Sequence, residues 1–543
     1  MVKFKRAWKP VFATLVSLSL AVLAACGSSS TPGGSTAKSE GNASPPVAPT
    51  SQASSASSAG PKLEITASAF DRGEIAAEEG TYENNRWTRW INENSPTKVK
   101  WVPVVRNEFQ KKMNTLIASG SAPDLIWEYD RNYIAQLANQ GAIQPIDKYI
   151  EKYSTTYKKY LEEHPALKPL VTFDGKMYAV TSQRSTDSIV NHGMWIRQDW
   201  LDKLGLKMPT TIEELIEVAK KFRDEDPDGN GKADTVPIAF TGNANGIIRA
   251  FFFTHEDQWY LEDGQMKYGR LLDRYTDAIA FNKLLYDEKL IDREYITDKN
   301  FQHGLQLWVT GKAGIYMGTW NMDKEYLDLK KNVPDAQYAP LGSVATKYGT
   351  NGLYQESPAD IFTAFNANMK EDEIEAAIKF LDWMLESGYM ALKFGEENTH
   401  YTLVNGEIPK KTDEEKFSKE VRYARAYLMI SGWKSNPEWY PIIAPSDPLA
   451  QENAKIKASA LDVALKNTYR RDTAYGPTMP EVTQLVATFR PIALQIETQA
   501  IMGGSGKTPE AAMENMRKEW KRLGGENVEK LVQEWYEANK KNL

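Results

Sequence analysis

The 543-residue sequence contains one cysteine, Cys26, and only five histidines. A single cysteine excludes an internal disulfide, so the core and any bound ion must hold the folded chain together. The histidines show none of the spacings of a catalytic zinc site, and no GxSxG motif supplies a serine nucleophile. Metal-dependent and nucleophilic catalysis therefore have no local signature.

Long apolar runs and dense basic clusters are also scarce. After residue 25, no segment approaches the roughly 20 consecutive apolar residues that a membrane-spanning helix needs. Lysine and arginine number 66 against 72 aspartates and glutamates, without a basic cluster dense enough to offset a phosphate backbone. We therefore expect no nucleic-acid partner and no spanning helix beyond the amino terminus.

The amino terminus has the pattern of a signal peptide at 1–25: four basic residues within the first ten, then an uncharged apolar run. The run ends in LAAC at 23–26, which resembles the lipobox of bacterial lipoproteins. That resemblance implies cleavage before Cys26 and lipid attachment to its sulfur, which would anchor the protein on the outer face of the cell membrane. A free cysteine beside an ordinary cleavage site is the alternative. The Ser-, Gly- and Pro-rich stretch up to residue 61 predicts a disordered tether.

The rest of the chain alternates predicted strands and helices. Strand-forming runs at 63–70, 99–105 and 124–127 are separated by stretches of helical periodicity, which predicts parallel α/β lobes. A capping box formed by Thr211 and Glu214 begins one predicted helix. Helical periodicity dominates towards the carboxyl terminus, so the predicted fold class is α/β with a helix-rich second half.

The sharpest motif is DPDGNGKAD at 226–234. It places side-chain oxygens at positions 1, 3, 5 and 9, a glycine at 6 and a main-chain carbonyl at 7, which is the ligand spacing of an EF-hand calcium loop. The usual glutamate at position 12 is replaced by Pro237, and a polar turn without metal is the alternative. The predicted ligands of a structural Ca²⁺ are Asp226, Asp228, Asn230, Asp234 and the carbonyl of Lys232.

Tryptophan is abundant for so polar a chain, with 15 residues. Sugar rings stack on aromatic faces while their hydroxyls bond to charged side chains. Trp127 with Asp130 and Arg131, just past a predicted strand, offers that combination, and Trp320 follows another predicted strand. These residues predict a carbohydrate cleft, with core packing as the alternative for any single tryptophan.

Six short segments carry a family resemblance when taken in order and spacing. They are IASGSAPDLI at 117–126, GAIQPI at 141–146, GKMYAV at 175–180, MWIRQDWLDKLGL at 194–206, PTTIEEL at 209–215 and GKAGIYMGTW at 311–320. Together they resemble the sugar-binding branch, family 1, of the extracellular solute-binding proteins of ABC importers. The calcium loop narrows the resemblance to the larger LplA-like and alginate-oligosaccharide-binding-like lipoproteins.

This resemblance implies a two-lobe, periplasmic-binding-protein-like fold with a hinge and an oligosaccharide between the lobes. It implies a binding protein, not an enzyme, that passes its ligand to ABC transporter permease subunits, and we expect a monomer. The predicted lobes are 62–184 with about 320–365, and 185–319 with about 366–543. Similarity to maltose-binding proteins implies sugar contacts by Trp127, Asp130, Arg131 and Trp320. Further candidates, chosen by position and composition, are Arg184, Trp259, Tyr401 and Trp433.

Two other functions stay open on the sequence. A surface-anchored glycoside hydrolase or lyase is one, because two carboxylates brought together by folding leave no trace in a sequence. A peptide-binding receptor is the other, because binders of this architecture also take ligands that are not sugars.

Overall fold

A computed structural model of the chain describes residues 62–298, 302–503, 507–541 and 543. The predicted signal peptide, Cys26 and the tether lie outside these residues. Two sheets flanked by helices form the described chain, together with three two-stranded hairpins. Within these ranges, no helix combines the length and apolarity that crossing a membrane requires.

The strands and helices alternate along the first half of the chain, and helices dominate the second. The strands are β1 (Glu64–Asp71), β2 (Lys98–Val105), β3 (Leu125–Glu128), β4 (Thr172–Phe173), β5 (Lys176–Met177), β6 (Ala179–Gln183), β7 (Gly193–Arg197), β8 (Val236–Phe240), β9 (Trp259–Glu262), β10 (Gln265–Tyr268), β11 (Ala313–Gly318), β12 (Tyr338–Leu341), β13 (Ala359–Phe365), β14 (Tyr401–Val404) and β15 (Ile408–Lys411). The α-helices are α1 (Arg86–Asn94), α2 (Phe109–Ala118), α3 (Arg131–Asn139), α4 (Asp147–Tyr153), α5 (Thr156–Glu163), α6 (Thr186–Ile189), α7 (Gln198–Leu204), α8 (Ile212–Asp224), α9 (Ala244–Phe251), α10 (Asp273–Asp287), α11 (Gln302–Val309), α12 (Asp323–Asn332), α13 (Glu371–Trp383), α14 (Tyr389–Phe394), α15 (Glu414–Glu420), α16 (Tyr440–Ile443), α17 (Pro448–Leu465), α18 (Pro480–Met502), α19 (Pro509–Arg522) and α20 (Gly525–Asn539).

The first sheet has five strands in the order β2-β1-β3-β13-β6. β1 runs parallel to both β2 and β3, whereas β13 is antiparallel to β3 and β6. All four residues of β3 are buried, because this central strand is covered on both faces. The carboxyl ends of β1, β2 and β3 therefore lie along one edge of the sheet.

The second sheet has four strands in the order β12-β7-β11-β8. Its central strand β11 is parallel to β8 and antiparallel to β7, and every residue of β11 is buried. The predicted capping box begins α8: the Thr211 side chain accepts a bond from the Glu214 N–H, and Glu214 returns one. The buried face of α8 then packs into the core of this second lobe.

Three hydrophobic clusters divide the chain differently from the predicted lobe boundaries. The first lobe's core takes in residues 65–180 and also α13, α14 and the segment up to Ile430. The second lobe's core takes in residues 190–353 and 440–464. The predicted boundaries are therefore wrong in two places: the stretch 320–341 belongs to the second lobe, and 366–430 belongs to the first. The cause is that α13 packs on β1 and α4, whereas α12 packs on α11 and α17 and Trp320 stacks on Tyr440.

The third cluster joins α18, α19 and α20 to the β9–β10 hairpin. Trp520 stacks on Tyr268, with ring centroids 4.9 Å apart and an angle of 8° between the planes. Thr508 caps α19 by accepting a bond from the Ala511 N–H. The helix-rich second half is thus divided among all three clusters.

Three connections, here called the crossing segments, run between the two sheet-based lobes. The first leads from β6 to β7 (184–192), the second from β12 to β13 (342–358), and the third from the first lobe's core to α16 (431–439). Two of them touch directly, because the Asp187 N–H and the Ser435 hydroxyl lie 3.4 Å apart, donor to acceptor. These segments are the structural counterpart of the predicted hinge.

Candidate functional site

The candidate site begins at the carboxyl ends of the three adjacent parallel strands. Arg72, Arg106 and Tyr129 are the first residues after β1, β2 and β3 respectively. Because parallel strands end at one edge of a sheet, these side chains meet where α/β folds bind ligands. Each is partly exposed, so each can meet a ligand.

Two aromatic rings organise these arginines. Phe70 and Tyr129 stack with centroids 5.8 Å apart and planes at 10°. The guanidinium carbon of Arg106 lies 4.4 Å from the Phe70 centroid and 4.8 Å from that of Tyr129. Arg72 lies 5.4 Å from the Phe70 centroid and donates a 3.2 Å bond from Nη2 to the Tyr129 hydroxyl. Both guanidinium groups are thereby held in place through cation–π contact.

The two arginines differ in their ionic partners. Arg106 Nη1 lies 3.8 Å from Glu128 Oε1, and burial raises the pKa of the Glu128 carboxyl. Among the residues that the structure describes, Arg72 has no carboxylate within 4.0 Å. Its Nε is buried and has no hydrogen-bond partner. Arg72 therefore keeps an unused donor at the edge of the sheet.

The crossing segments and α14 add further charges and a tryptophan. Arg184 Nη1 lies 3.4 Å from Asp360 Oδ1, and its Nε and Nη2 donate to the carbonyls of Ser357 and Ala359 at 3.2 and 3.1 Å. Lys393 Nζ lies 6.0 Å from the centroid of the half-buried Trp433. Burial lowers the pKa of Lys393, while its neighbours Asp187 and Asp360 oppose that shift.

These residues form one continuous group across the lobe junction. Burial raises the pKa of Tyr129, and Asp360 lies near enough to raise it further. The group holds four basic side chains, three carboxylates and two aromatic rings suited to a sugar face. We call it the cleft cluster: Arg72, Arg106, Glu128, Tyr129, Arg184, Asp187, Asp360, Lys393 and Trp433.

The structure places Trp127 inside the first lobe. Its side chain is 0% exposed, and its Nε1 donates a 2.8 Å bond to the carbonyl of Ser68. The ring packs edge-on against Phe70 at 4.4 Å between centroids. Neither face is free for a sugar, so this structure corrects the predicted role of Trp127: it is a core residue, because β3 is covered on both sides.

Arg131 also departs from its predicted role. Its guanidinium carbon lies between the rings of Phe173 and Tyr475, at 4.7 and 4.5 Å from their centroids. It borders a groove of about 730 Å³ next to α20, but its donors already bond to four main-chain carbonyls, from Pro169, Leu170, Thr172 and Gly476. Burial lowers the pKa of Arg131 to about 10. The side chain joins the first lobe to the segment before α18.

The remaining candidates fall in separate places. Asp130 is exposed and caps α3, accepting a 2.9 Å bond from the Asn132 N–H. Trp320 is 3% exposed in the second lobe's core, with its ring stacked on Tyr440 at 6.1 Å. Trp259 is 5% exposed and belongs to the third cluster, and Tyr401 is buried in the β14–β15 hairpin.

Of the eight predicted sugar contacts, the structure thus brings two, Arg184 and Trp433, into the cleft cluster. The predictions for Trp320, Trp259 and Tyr401 are corrected by their burial: Trp320 and Trp259 lie within hydrophobic clusters, and Tyr401 is buried in its hairpin. The sequence analysis missed Arg72, Arg106 and Tyr129. Examining the two residues after each predicted parallel strand, rather than the residues after the third strand only, would have found all of them.

A second polar group lies among the crossing segments. Tyr354 contacts two imidazoles, with centroids 4.9 Å from His192 and 4.7 Å from His255. Burial lowers the pKa of His192 to about 4. Burial acts against ionisation of Glu256, but Arg249 and His255 outweigh it and hold the pKa of Glu256 at about 2. These groups are enclosed, and they belong to the packing of the junction.

The predicted calcium loop is intact and exposed. The Asn230 amide nitrogen donates to Asp228 Oδ2 at 2.7 Å and to Asp234 Oδ1 at 3.0 Å, so an amide bridges carboxylates that a cation could bridge. The neighbouring Asp228 carboxyl and the Gly231 N–H lower the pKa of Asp226, whereas burial and the neighbouring Asp226 raise the pKa of Asp228. Gly231 sits at φ 73°, which the turn at position 6 requires.

One carboxylate oxygen of this loop is free to bind a cation. Asp226 Oδ1 is buried and has no hydrogen-bond partner. Within the described ranges, no three Asp, Glu, His or Cys side chains gather closely enough to hold a metal by themselves. A cation here would therefore need the amide oxygen of Asn230 and the carbonyl of Lys232 as well as the carboxylates, and such oxygen donors suit Ca²⁺.

Three curated relatives resemble the chain in sequence. The fructooligosaccharide ABC transporter substrate-binding protein FusA of Streptococcus pneumoniae is 30% identical over 309 residues, 46% of this chain and 56% of FusA. Lipoprotein LipO of Bacillus subtilis is 26% identical over 455 residues, 82% of this chain and 86% of LipO. The polygalacturonan/rhamnogalacturonan-binding protein YtcQ of Bacillus subtilis is 27% identical over 393 residues, 67% of this chain and 73% of YtcQ. The match with FusA thus spans little more than half of that relative.

Solved structures resemble the fold. AlgQ2, an alginate-binding protein solved without calcium ion, superposes with a TM-score of 0.67 and 20% identity, covering 88% of this chain and 98% of AlgQ2. An EF-hand mutant of FusA in complex with fructo-nystose gives a TM-score of 0.66 and 18% identity, over 88% of this chain and 100% of that one. These likenesses confirm the predicted two-lobe α/β fold.

The family model of bacterial extracellular solute-binding proteins matches residues 77–391, which is more than half of the chain. The match includes every strand of the two sheets except β1, and six of the nine residues of the cleft cluster. Because the family consists of solute-binding proteins, it confirms the prediction of a binding protein that is not an enzyme. The chain belongs to the bacterial extracellular solute-binding protein family.

Proposed function

We propose that this chain is the substrate-binding lipoprotein of an ABC importer, which captures an oligosaccharide at the cell surface and delivers it intact to a membrane permease. The observation that carries the proposal is the cleft cluster: charged donors and a half-buried tryptophan gathered at the lobe junction. FusA and YtcQ, whose names describe oligosaccharide or polysaccharide binding, support it.

The chemistry of the site suits a sugar. The face of Trp433 is available for the C–H face of a pyranose or furanose ring, and Arg72, Lys393 and Tyr129 supply donors for ring oxygens and hydroxyls. Ligand bound between the lobes favours a closed form to the extent that it binds that form more tightly. The permease then recognises the closed form.

Calorimetry and thermal unfolding of the purified full-length protein test this function. We expect one or more oligosaccharides in a panel of neutral and acidic trimers to bind one-to-one, and to raise the melting temperature as ligand exceeds the dissociation constant. The sugars should be recovered unchanged. A panel in which no sugar binds, or in which new reducing ends appear over hours, would overturn the proposal.

We also propose that the loop at 226–234 holds a structural Ca²⁺. The unpartnered Asp226 Oδ1 and the donor spacing support it, as do the similar structures of AlgQ2, solved without calcium ion, and of an EF-hand mutant of FusA. The ion would be held by Asp226, Asp228, Asn230, Asp234 and the Lys232 carbonyl, and would neutralise the paired carboxylates. It fixes the loop between α8 and β8.

Melting temperatures in calcium and in EGTA test the ion site. We expect millimolar Ca²⁺ to raise the melting temperature by a few degrees and Asp226→Asn to abolish most of that rise, because a weak extracellular site has a dissociation constant on the order of 10⁻⁴ to 10⁻³ M. Asp335→Asn, an exposed carboxylate outside the loop, is the matched control. If Ca²⁺ raised the melting temperatures of both variants equally, the proposed site would be wrong.

Lipid attachment at Cys26 completes the proposed function. The LAAC sequence and the likeness to lipoprotein LipO support it. Two acyl chains give stable attachment where one gives marginal binding. Cys26→Ser should therefore release the protein from the membrane fraction into the medium, and continued membrane association of that variant would contradict the anchor.

A further inference from the structure

The basic side chains of the cleft cluster fall into two classes. Arg106 is near Glu128 at 3.8 Å, and Arg184 is near Asp360 at 3.4 Å. Arg72 and Lys393 have no carboxylate within 4.0 Å among the residues that the structure describes. The cluster therefore contains two cations without a direct ionic partner.

Both of these cations are partly enclosed. Arg72 lies against Phe70 and bonds to the Tyr129 hydroxyl, and its buried Nε has no partner. Lys393 lies beside Phe394 and Trp433, with its Nζ 5.9 and 6.0 Å from their centroids. Removing such cations further from water when lobes close over a ligand is costly unless an anion meets them.

A neutral sugar does not supply that anion. Hydroxyl groups can accept hydrogen bonds from Arg72, but they leave its charge uncompensated, whereas a carboxylate accepts two parallel bonds from a guanidinium group. The carboxylates of the cluster do not fill this role for Arg72, because Glu128 and Asp360 already lie beside Arg106 and Arg184, and Asp187 lies on the Lys393 side of the cluster. Four basic side chains thus face three carboxylates, and one anionic ligand group restores the balance.

We infer that the ligand is an acidic oligosaccharide that contains uronic acid, with one uronate carboxylate bound by Arg72 and a second positive charge supplied by Lys393. This inference rests on the proposed function, since it names the class of sugar that the same site takes. Tyr129 positions Arg72 through its hydroxyl, and Trp433 offers the stacking face beside Lys393.

The test compares acidic trimers with neutral trimers of the same linkage on the purified full-length protein. Trigalacturonate, trimannuronate and triguluronate are each compared with the neutral trimer obtained by reducing their carboxyl groups. A fructose trimer and maltotriose serve as further neutral sugars. We expect at least one acidic trimer to bind at least tenfold more tightly than its neutral analogue, with affinity that falls as salt is raised.

Arg72→Gln is the directed variant, and Arg89→Gln, an exposed arginine of the same lobe, is its control. Because Arg72→Gln removes a charge-assisted bidentate bond, we expect it to weaken binding of the acidic trimer by about 10- to 100-fold. Binding of the neutral analogue should change little. Urea denaturation checks that Arg72→Gln is folded. If it is not, Lys393→Gln serves as the second variant.

The outcomes separate this inference from the proposed function. If a neutral sugar binds as tightly as every acidic trimer, or if Arg72→Gln weakens both kinds of sugar equally, the acidic specificity is wrong and the oligosaccharide-binding function stands. If no sugar binds to the wild-type protein, the proposed function itself fails.

Discussion

Trp127 and Trp433 lie in two aromatic environments with opposite consequences. Trp127 is fully enclosed by the first lobe's core, and its ring nitrogen is bonded to a main-chain carbonyl. Trp433 is half-buried in a crossing segment, with Phe394 edge-on at 4.6 Å and Lys393 close by. A tryptophan within a central strand stabilises the lobe, whereas one in the connection between lobes remains available to a ligand.

The largest expected effect tests the enclosed side of this comparison. Trp127→Ala should lower the free energy of unfolding by about 3–5 kcal/mol, because it removes a large buried side chain and leaves a cavity. Urea denaturation measures it. If the variant kept wild-type stability and lost sugar binding instead, Trp127 would be a ligand contact and the assignment made from burial would be wrong.

Much of this fold follows from local sequence patterns. The sequence predicts the first three strands at 63–70, 99–105 and 124–127, and they occur at 64–71, 98–105 and 125–128. Such strands are apolar, β-branched and bounded by polar residues, so their signal is local. The division into lobes is not local: α13 returns to pack on β1, and Trp320 stacks on Tyr440, through contacts between residues far apart in the chain.

A second prediction tests how far the enclosed environment extends into the crossing segments. Burial holds the pKa of His192 at about 4, below its ordinary value of 6.5. The folded form therefore prefers the neutral imidazole, and the unfolded chain binds the extra proton between these two values. Stability is fully present above about pH 6.5 and falls as the pH drops towards 4.

His192→Gln should reduce this acid sensitivity. Between pH 7 and pH 5, we expect the wild-type protein to lose about 2 kcal/mol more than the variant, since each pKa unit corresponds to about 1.4 kcal/mol. His255 and Glu256 face the same imidazole and titrate in both proteins, so the difference isolates His192. His303→Gln, at the surface, is the control. An NMR titration of His192 near pH 6.5 would show that the junction admits water and would contradict its enclosure.

The site was harder to predict than the fold, for a physical reason. A motif after a strand locates an edge of the sheet, but the packing of that strand decides which side chain is free. β3 is covered on both faces, so Trp127 is enclosed and Tyr129, the first residue past the strand, is partly exposed. Arg131 is the first residue of α3, and main-chain carbonyls occupy its donors. Sequence alone specifies neither outcome.

The smallest expected effect tests the open side of the comparison. Trp433→Ala should change the free energy of unfolding by less than about 1 kcal/mol, because the ring is only half-buried, and should weaken sugar binding by about tenfold through loss of a stacking face. Calorimetry with the tightest-binding trimer measures the second effect. Trp433→Phe, which keeps a flat apolar face, should restore most of the affinity. If the alanine variant bound sugar as well as the wild-type protein, the ligand would lie elsewhere in the junction. Both replacements leave Lys393 and Arg72 in place, so they change only the side chain at position 433. If Trp433→Phe did not restore the affinity, the contribution of Trp433 would come from the size or the N–H group of its indole and not from an aromatic face in general.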